Sequence, residues 1–141
     1  RGFHPMIVQQ SMSLPLFHMV EGAPDPVAPF SHAVEADGWV FVTGQMPFTG
    51  VSASSPYPEG IEPQTRQVME NLKGALALAG ATFDDVCKCT CWLQDARDFG
   101  AFNRIYMSYF PNGRPARSTT EARLMVDAKV EIDVVAYKPK A

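Results

Sequence analysis

Residues 31–44, Ser31-His32-Ala33-Val34-Glu35-Ala36-Asp37-Gly38-Trp39-Val40-Phe41-Val42-Thr43-Gly44, decide how this chain folds. An Asp-Gly pair between two β-prone runs is a strong short-range signal for a hairpin. The second run is apolar at every position from Trp39 to Val42, so both faces of that strand need cover. A matching run near the C-terminus, residues 129–137, sends Val130, Ile132, Val134 and Ala136 one way. It sends Glu131, Asp133, Val135 and Tyr137 the other way.

Two helices and two further strands complete the pattern. Glu62 and Pro63 suit a helix start, and Val68, Leu72, Ala75, Leu76 and Ala79 recur at helical spacing until Gly80. Residues 86–93 alternate as a strand. Asp95 can cap a second helix whose Phe99, Phe102, Tyr106 and Tyr109 form an apolar stripe, read here as core, before Pro111-Asn112-Gly113 breaks it. Two last strands over 117–125 and 129–137 are joined by a short turn near Asp127. Residues 46–61 carry three prolines and two glycines and form a loop, while 1–29 read as irregular. The predicted order is β-β-α-β-α-β-β, an α+β fold with a mixed sheet and both helices on one face. We read 1–23 as an N-terminal extension and 24–141 as one domain. The start, Arg1-Gly2-Phe3-His4-Pro5, reads as a cloning remnant rather than a signal peptide, and Met6, Met12 and Met19 are candidate natural starts.

Two helices cover one sheet face only. The other mixes apolar residues with carboxylates, so other copies of the chain are expected to bury it, with Trp39, Val130 and Ile132 in or near the buried surfaces and polar positions lining the clefts.

Composition narrows the function. A net charge of -3, a pI near 5.5 and no basic run argue against broad nucleic-acid binding. No apolar stretch is long enough for a membrane span. Cys87, Cys89 and Cys91 alternate along one strand and are expected to share a face as small buried residues. That spacing is poor for a disulfide, and three thiolates lack a fourth metal ligand. Free thiols fit a reducing, cytoplasmic setting.

The candidate chemistry lies in Pro115-Ala116-Arg117-Ser118-Thr119 and, fourteen residues after the arginine, Glu131. Arginine presents a permanent planar fork suited to a carboxylate, and a nearby glutamate can handle protons or water. The pair suggests a pocket for a small acid attacked by water. The plain alternative is an exposed ion pair between neighbouring strands, which would do little.

Several segments carry a family resemblance. Pro26-Val27-Ala28-Pro29-Phe30-Ser31-His32-Ala33, Phe41-Val42-Thr43-Gly44-Gln45-Met46-Pro47 and Gln64-Thr65-Arg66-Gln67-Val68-Met69-Glu70-Asn71-Leu72 are similar, in order, to signatures of the RidA (YjgF) family. Residues 98–106, from Asp98 to Tyr106 with Asn103, and the closing Pro115-Ala116-Arg117-Ser118 with Val130-Glu131-Ile132 continue the match. The resemblance implies a chorismate-mutase-like fold, a homotrimer with active sites between subunits, and hydrolysis of reactive enamines and imines such as 2-aminoacrylate. It further implies that Arg117 binds the substrate carboxylate and Glu131 positions water or shuttles protons. Thr43, Gly44 and Asn103 would line the pocket, with Phe30 and Thr119 at substrate-facing positions; no metal or organic cofactor is called for. Departures from the family pattern are Phe30 in place of tyrosine, Thr119 in place of cysteine, a link between Arg117 and Glu131 one residue shorter, and an extended loop bearing Tyr57. They point to a substrate other than, or larger than, 2-aminoacrylate, among which 2-aminomuconate is the specialised alternative. Relatives described as ribonucleases or translation inhibitors, and a trimeric binder without turnover, are the readings from other classes.

Overall fold

The computed structural model describes residues 14–21, 28–50 and 55–140. The cloning-remnant reading, the early candidate starts, Pro24 and Pro26 therefore lie outside the described residues. Six strands form one sheet: β1 (Leu16–His18), β2 (Ala33–Ala36), β3 (Trp39–Gln45), β4 (Val86–Leu93), β5 (Ala116–Glu121) and β6 (Val130–Tyr137). Two helices, α1 (Ile61–Ala77) and α2 (Phe99–Ser108), pack on one side.

The hairpin forms as its turn chemistry dictates. Ala36 pairs with Trp39 across Asp37 and Gly38, whose φ values are 50° and 88°. Glycine takes that conformation without steric cost, and aspartate is among the few other residues that tolerate it.

Sheet order is β1-β2-β3-β6-β4-β5, with β4 and β5 parallel and every other neighbouring pair antiparallel. Two expectations change here. The last two strands are not a hairpin, because β4 lies between them. β6 buries Val130, Ile132, Val134 and Ala136 and takes a central place, whereas the Arg-Ser-Thr-rich β5 tolerates the edge. The region up to residue 29 is also not wholly irregular, since Leu16–His18 pairs with β2. This strand is too short to show alternation. His18 Nε2 lies 2.7 Å from Glu35, and the Val20 N–H donates to His32 Nδ1 at 2.7 Å, which together pin it to the sheet.

The core lies between sheet and helices. Val68, Met69, Leu72, Ala75 and Leu76 of α1 and Phe102 of α2 meet Val40, Val42, Cys89, Cys91, Leu93 and the inner residues of β6, all buried. Gly80 at φ 73° ends the α1 region as expected. Asp95 caps a 3₁₀ turn, Ala96–Asp98, that leads into α2.

Among the described residues, the opposite sheet face has no such cover. Trp39, Phe41 and Tyr137 are 42%, 46% and 44% exposed, and Phe17 extends the apolar row on β1. Val130 and Ile132, by contrast, are already buried beneath the helices and do not belong to that face.

The cysteine run is not uniform. A register shift in β4 between Val86 and Lys88 turns Cys87 outward, so it is exposed while Cys89 and Cys91 are buried. A bulge adds one residue to a strand and so breaks strict alternation.

Candidate functional site

The register separates the two predicted catalytic residues. Arg117 stands opposite Cys89, and Thr119 opposite Cys91, both of which face the helices. Glu131 stands opposite Trp92, which in turn pairs with Thr120 on the open face. Side chains opposite one another across strands share a face, so Arg117 and Glu131 of one chain point to opposite sides of the sheet. No ion pair joins them among the described residues, and the exposed-pair alternative falls.

Arg117 is held on the helix side by α2. Its Nη1 donates to Asn103 Oδ1 at 2.9 Å. Its guanidinium carbon lies 5.6 Å from the ring centres of Phe99 and Phe102 and 4.7 Å from Tyr106. These separations are within the range of cation–π attraction. The aromatic stripe of α2 is thus core at Phe102 and Tyr106 and also a cradle for the cation, with Phe99 46% exposed at its rim. Thr119 shares this face, and its buried Oγ1 has no hydrogen-bond partner among the described residues; neither has the Tyr106 hydroxyl. Burial pushes the Cys89 thiol up to about 11 and the Cys91 thiol up to about 12, so both stay neutral. The Tyr106 hydroxyl is also raised, chiefly by burial.

Glu131 lies on the open face, with Thr43 and Gly44 at the register shift of the neighbouring β3. It is half-buried, and burial followed by the charge of Asp133 raises its pKa above the ordinary carboxylate value. Asp133, two residues on and sharing the open face, is raised by burial and opposed by hydrogen bonds from Thr90. The Glu131 side chain lies directly against Gly44. Phe30 is 40% exposed on the segment entering β2.

Two residues of α1 that sequence reasoning left unassigned hold the loop after Gly44. Asn71 Nδ2 donates to the carbonyls of Met46 at 2.8 Å and Phe48 at 3.0 Å. Gln64, 6% exposed, accepts from the Lys129 N–H at 2.8 Å and donates to the Pro58 carbonyl at 2.9 Å. Such amides on a mostly apolar helix face, Gln64 buried and Asn71 partly so, were the available signal, since each must find partners. Tyr57 packs edge-on against Phe48, ring centres 5.7 Å apart. An open groove of about 1370 Å³ at the far end of β4 and β5, lined in part by Asp95, Glu121 and Leu124, includes neither Arg117 nor Glu131.

Fold and geometry together define a small α+β domain that carries a cradled arginine on its helix side and a half-buried glutamate on its open face. The family model described as Endoribonuclease L-PSP matches residues 20–138, and this chain belongs to that family, the RidA family its motifs resemble. A "RutC family protein" of Pyrococcus horikoshii is 40% identical over 119 residues, 84% of this chain and 94% of that protein. The mouse protein named 2-iminobutanoate/2-iminopropanoate deaminase is 37% identical over 119 residues, 82% of this chain and 86% of its own length. Among solved structures, that of Escherichia coli TdcF with bound serine superposes with a TM-score of 0.77. It is 29% identical, over 85% of this chain and 98% of TdcF.

Proposed function

We propose that this chain is a hydrolytic deaminase of enamine and imine acids, working as a homotrimer whose active sites form between copies. Arg117, Asn103 and Thr119 of one copy face Thr43, Gly44 and Glu131 of the next. The observation that carries this reading is the placement of Arg117 and Glu131 on opposite faces of one sheet. Each half lacks the charge the other has, and the apolar open face around Trp39 and Phe41 needs a second copy to cover it. The deaminase name of the mouse relative supports the chemistry.

The chemistry follows from the two groups. With Nη1 bound to Asn103, the remaining edge of the Arg117 guanidinium has no hydrogen-bond partner among the described residues and can hold the substrate carboxylate at two points. This fixes the adjacent C=N carbon. An enamine such as 2-aminoacrylate gains a proton at its terminal carbon to become the imine. Water then adds to the imine carbon, and the resulting carbinolamine expels ammonia to leave the 2-keto acid. Glu131, whose burial favours the protonated form, donates and recovers the protons of these steps. Imines hydrolyse unaided, so orientation and one acid/base group suffice for a useful acceleration.

The test is ammonia release from an imino acid generated in situ by an amino-acid oxidase, from 2-aminoacrylate, and from 2-aminomuconate. Turnover that is lost in Glu131→Gln and in Arg117→Ala supports the proposal. Ligand binding without ammonia release would make the chain a binder. The family's name makes RNA cleavage the competing activity, and a nuclease assay of the same preparation separates it.

A further inference from the structure

Gly44 stands out from the other described glycines. Gly38, Gly60 and Gly80 have positive φ, but Gly44, like the remaining described glycines, does not, so no left-handed conformation demands glycine there. Its requirement is space. A methyl group on Gly44 would collide with the Glu131 Oε2 and lie 3.1 Å from Cδ and 3.3 Å from Cγ. All three obstructing atoms belong to one flexible side chain and none to the backbone. The register explains the approach. Val42 pairs with Val134 but Gln45 with Ile132, so Thr43 and Gly44 together stand opposite Asp133 in a bulge of β3. The extra residue brings the bare Cα of Gly44 against the carboxylate on the open face.

We propose that Gly44 is a positioning residue, whose missing side chain is the seat in which the Glu131 carboxylate rests. This deepens the deaminase reading and rests on it. The seat fixes where the acid/base group points, while binding of the substrate carboxylate is left to Arg117. A displaced carboxylate should therefore slow the chemical step and leave substrate affinity largely intact.

The experiment compares Gly44→Ala, Glu131→Asp, Glu131→Gln and the double variant Gly44→Ala/Glu131→Asp, with kcat and KM for ammonia release and a thermal melt of each trimer. Gly44→Ala should lower kcat roughly 10- to 100-fold with KM little changed and Tm unchanged or raised. Glu131→Asp retracts the carboxylate by one methylene and relieves the collision with Oε2, leaving the close approach at Cγ. In that background Gly44→Ala should have a much smaller effect, so the double variant should lie close to Glu131→Asp alone. Wild-type kcat in Gly44→Ala, with Glu131→Gln slow, would overturn the seat and leave the glutamate's role standing. A double variant slowed by the product of both single effects would show that Gly44 acts by another route and would also overturn it. Wild-type turnover in Glu131→Gln would remove the acid/base reading itself, and the seat with it. If Gly44→Ala fails to fold, Gly44→Ala/Glu131→Ala decides. Recovery of the fold there places the collision at Glu131, as proposed, and continued failure means that the backbone alone demands glycine.

Discussion

Arg117→Lys tests whether geometry or charge alone does the work on the cationic face. The guanidinium is fixed by one hydrogen bond of 2.9 Å to Asn103 and by three aromatic rings, the nearest 4.7 Å away. Lysine keeps the charge and some attraction to the rings. Its single ammonium cannot bond Asn103 and grip a planar carboxylate along two parallel lines at once. Removing a charge-assisted hydrogen bond to the substrate in a desolvated site costs about 2 to 4 kcal/mol of transition-state stabilisation. At about 1.4 kcal/mol per factor of ten, kcat/KM should fall roughly 30- to 1000-fold. The cradle itself is mostly side-chain packing on the α2 stripe, so the melt and the sedimentation profile should stay close to wild type. The assay is ammonia release from 2-aminoacrylate and 2-aminomuconate at matched protein concentration. Wild-type kcat/KM in a folded Arg117→Lys trimer would refute the two-point grip.

Three further outcomes follow from the same structure. Asp133→Asn removes the negative charge that helps raise Glu131, so the Glu131-dependent limb of the pH profile of kcat/KM should move to lower pH; an unmoved or alkaline-shifted limb would contradict this. Leu72→Ala empties a fully buried position and should destabilise the fold by about 2 to 5 kcal/mol, read as a lowered Tm at fixed protein concentration. Trp39→Asp with Phe41→Asp charges the open face, so sedimentation equilibrium should report a chain near 15.5 kDa with ammonia release abolished; an intact trimer would mean that this face is not the interface.

Much of the fold was legible because local rules and tertiary packing agree. Asp37-Gly38 set the hairpin, helical spacing set α1, and alternation in β6 separated core from open face. What the sequence hid was non-local. Nothing in residues 116–137 says that β5 pairs with β4 while β6 turns away to sit between β3 and β4, since each strand has an acceptable pattern either way. The bulges that turn out Cys87 and lift Gly44 toward Glu131 are register facts, and register is set by partners absent from the strand's own sequence. For the candidate site, the residue types were readable and their faces were not. Arg117 and Glu131 looked like neighbours. The parallel β4–β5 pairing puts Arg117 in register with Cys89 on the helix side, and Glu131 lies in register with Trp92 on the other.

The central claim is that a working site needs two copies of the chain, and mixing two dead variants tests it most directly. Arg117→Ala keeps the Glu131 half-site, and Glu131→Gln keeps the Arg117 half-site. Each alone should be nearly inactive. Co-refolded in equal amounts, they should form mixed trimers in which one of the three sites joins two intact halves, so ammonia release should recover to about a quarter of the wild-type rate at equal protein concentration. If both residues served one site within a single chain, every site in the mixture would carry one lesion, and the rate would stay at the level of the separate variants.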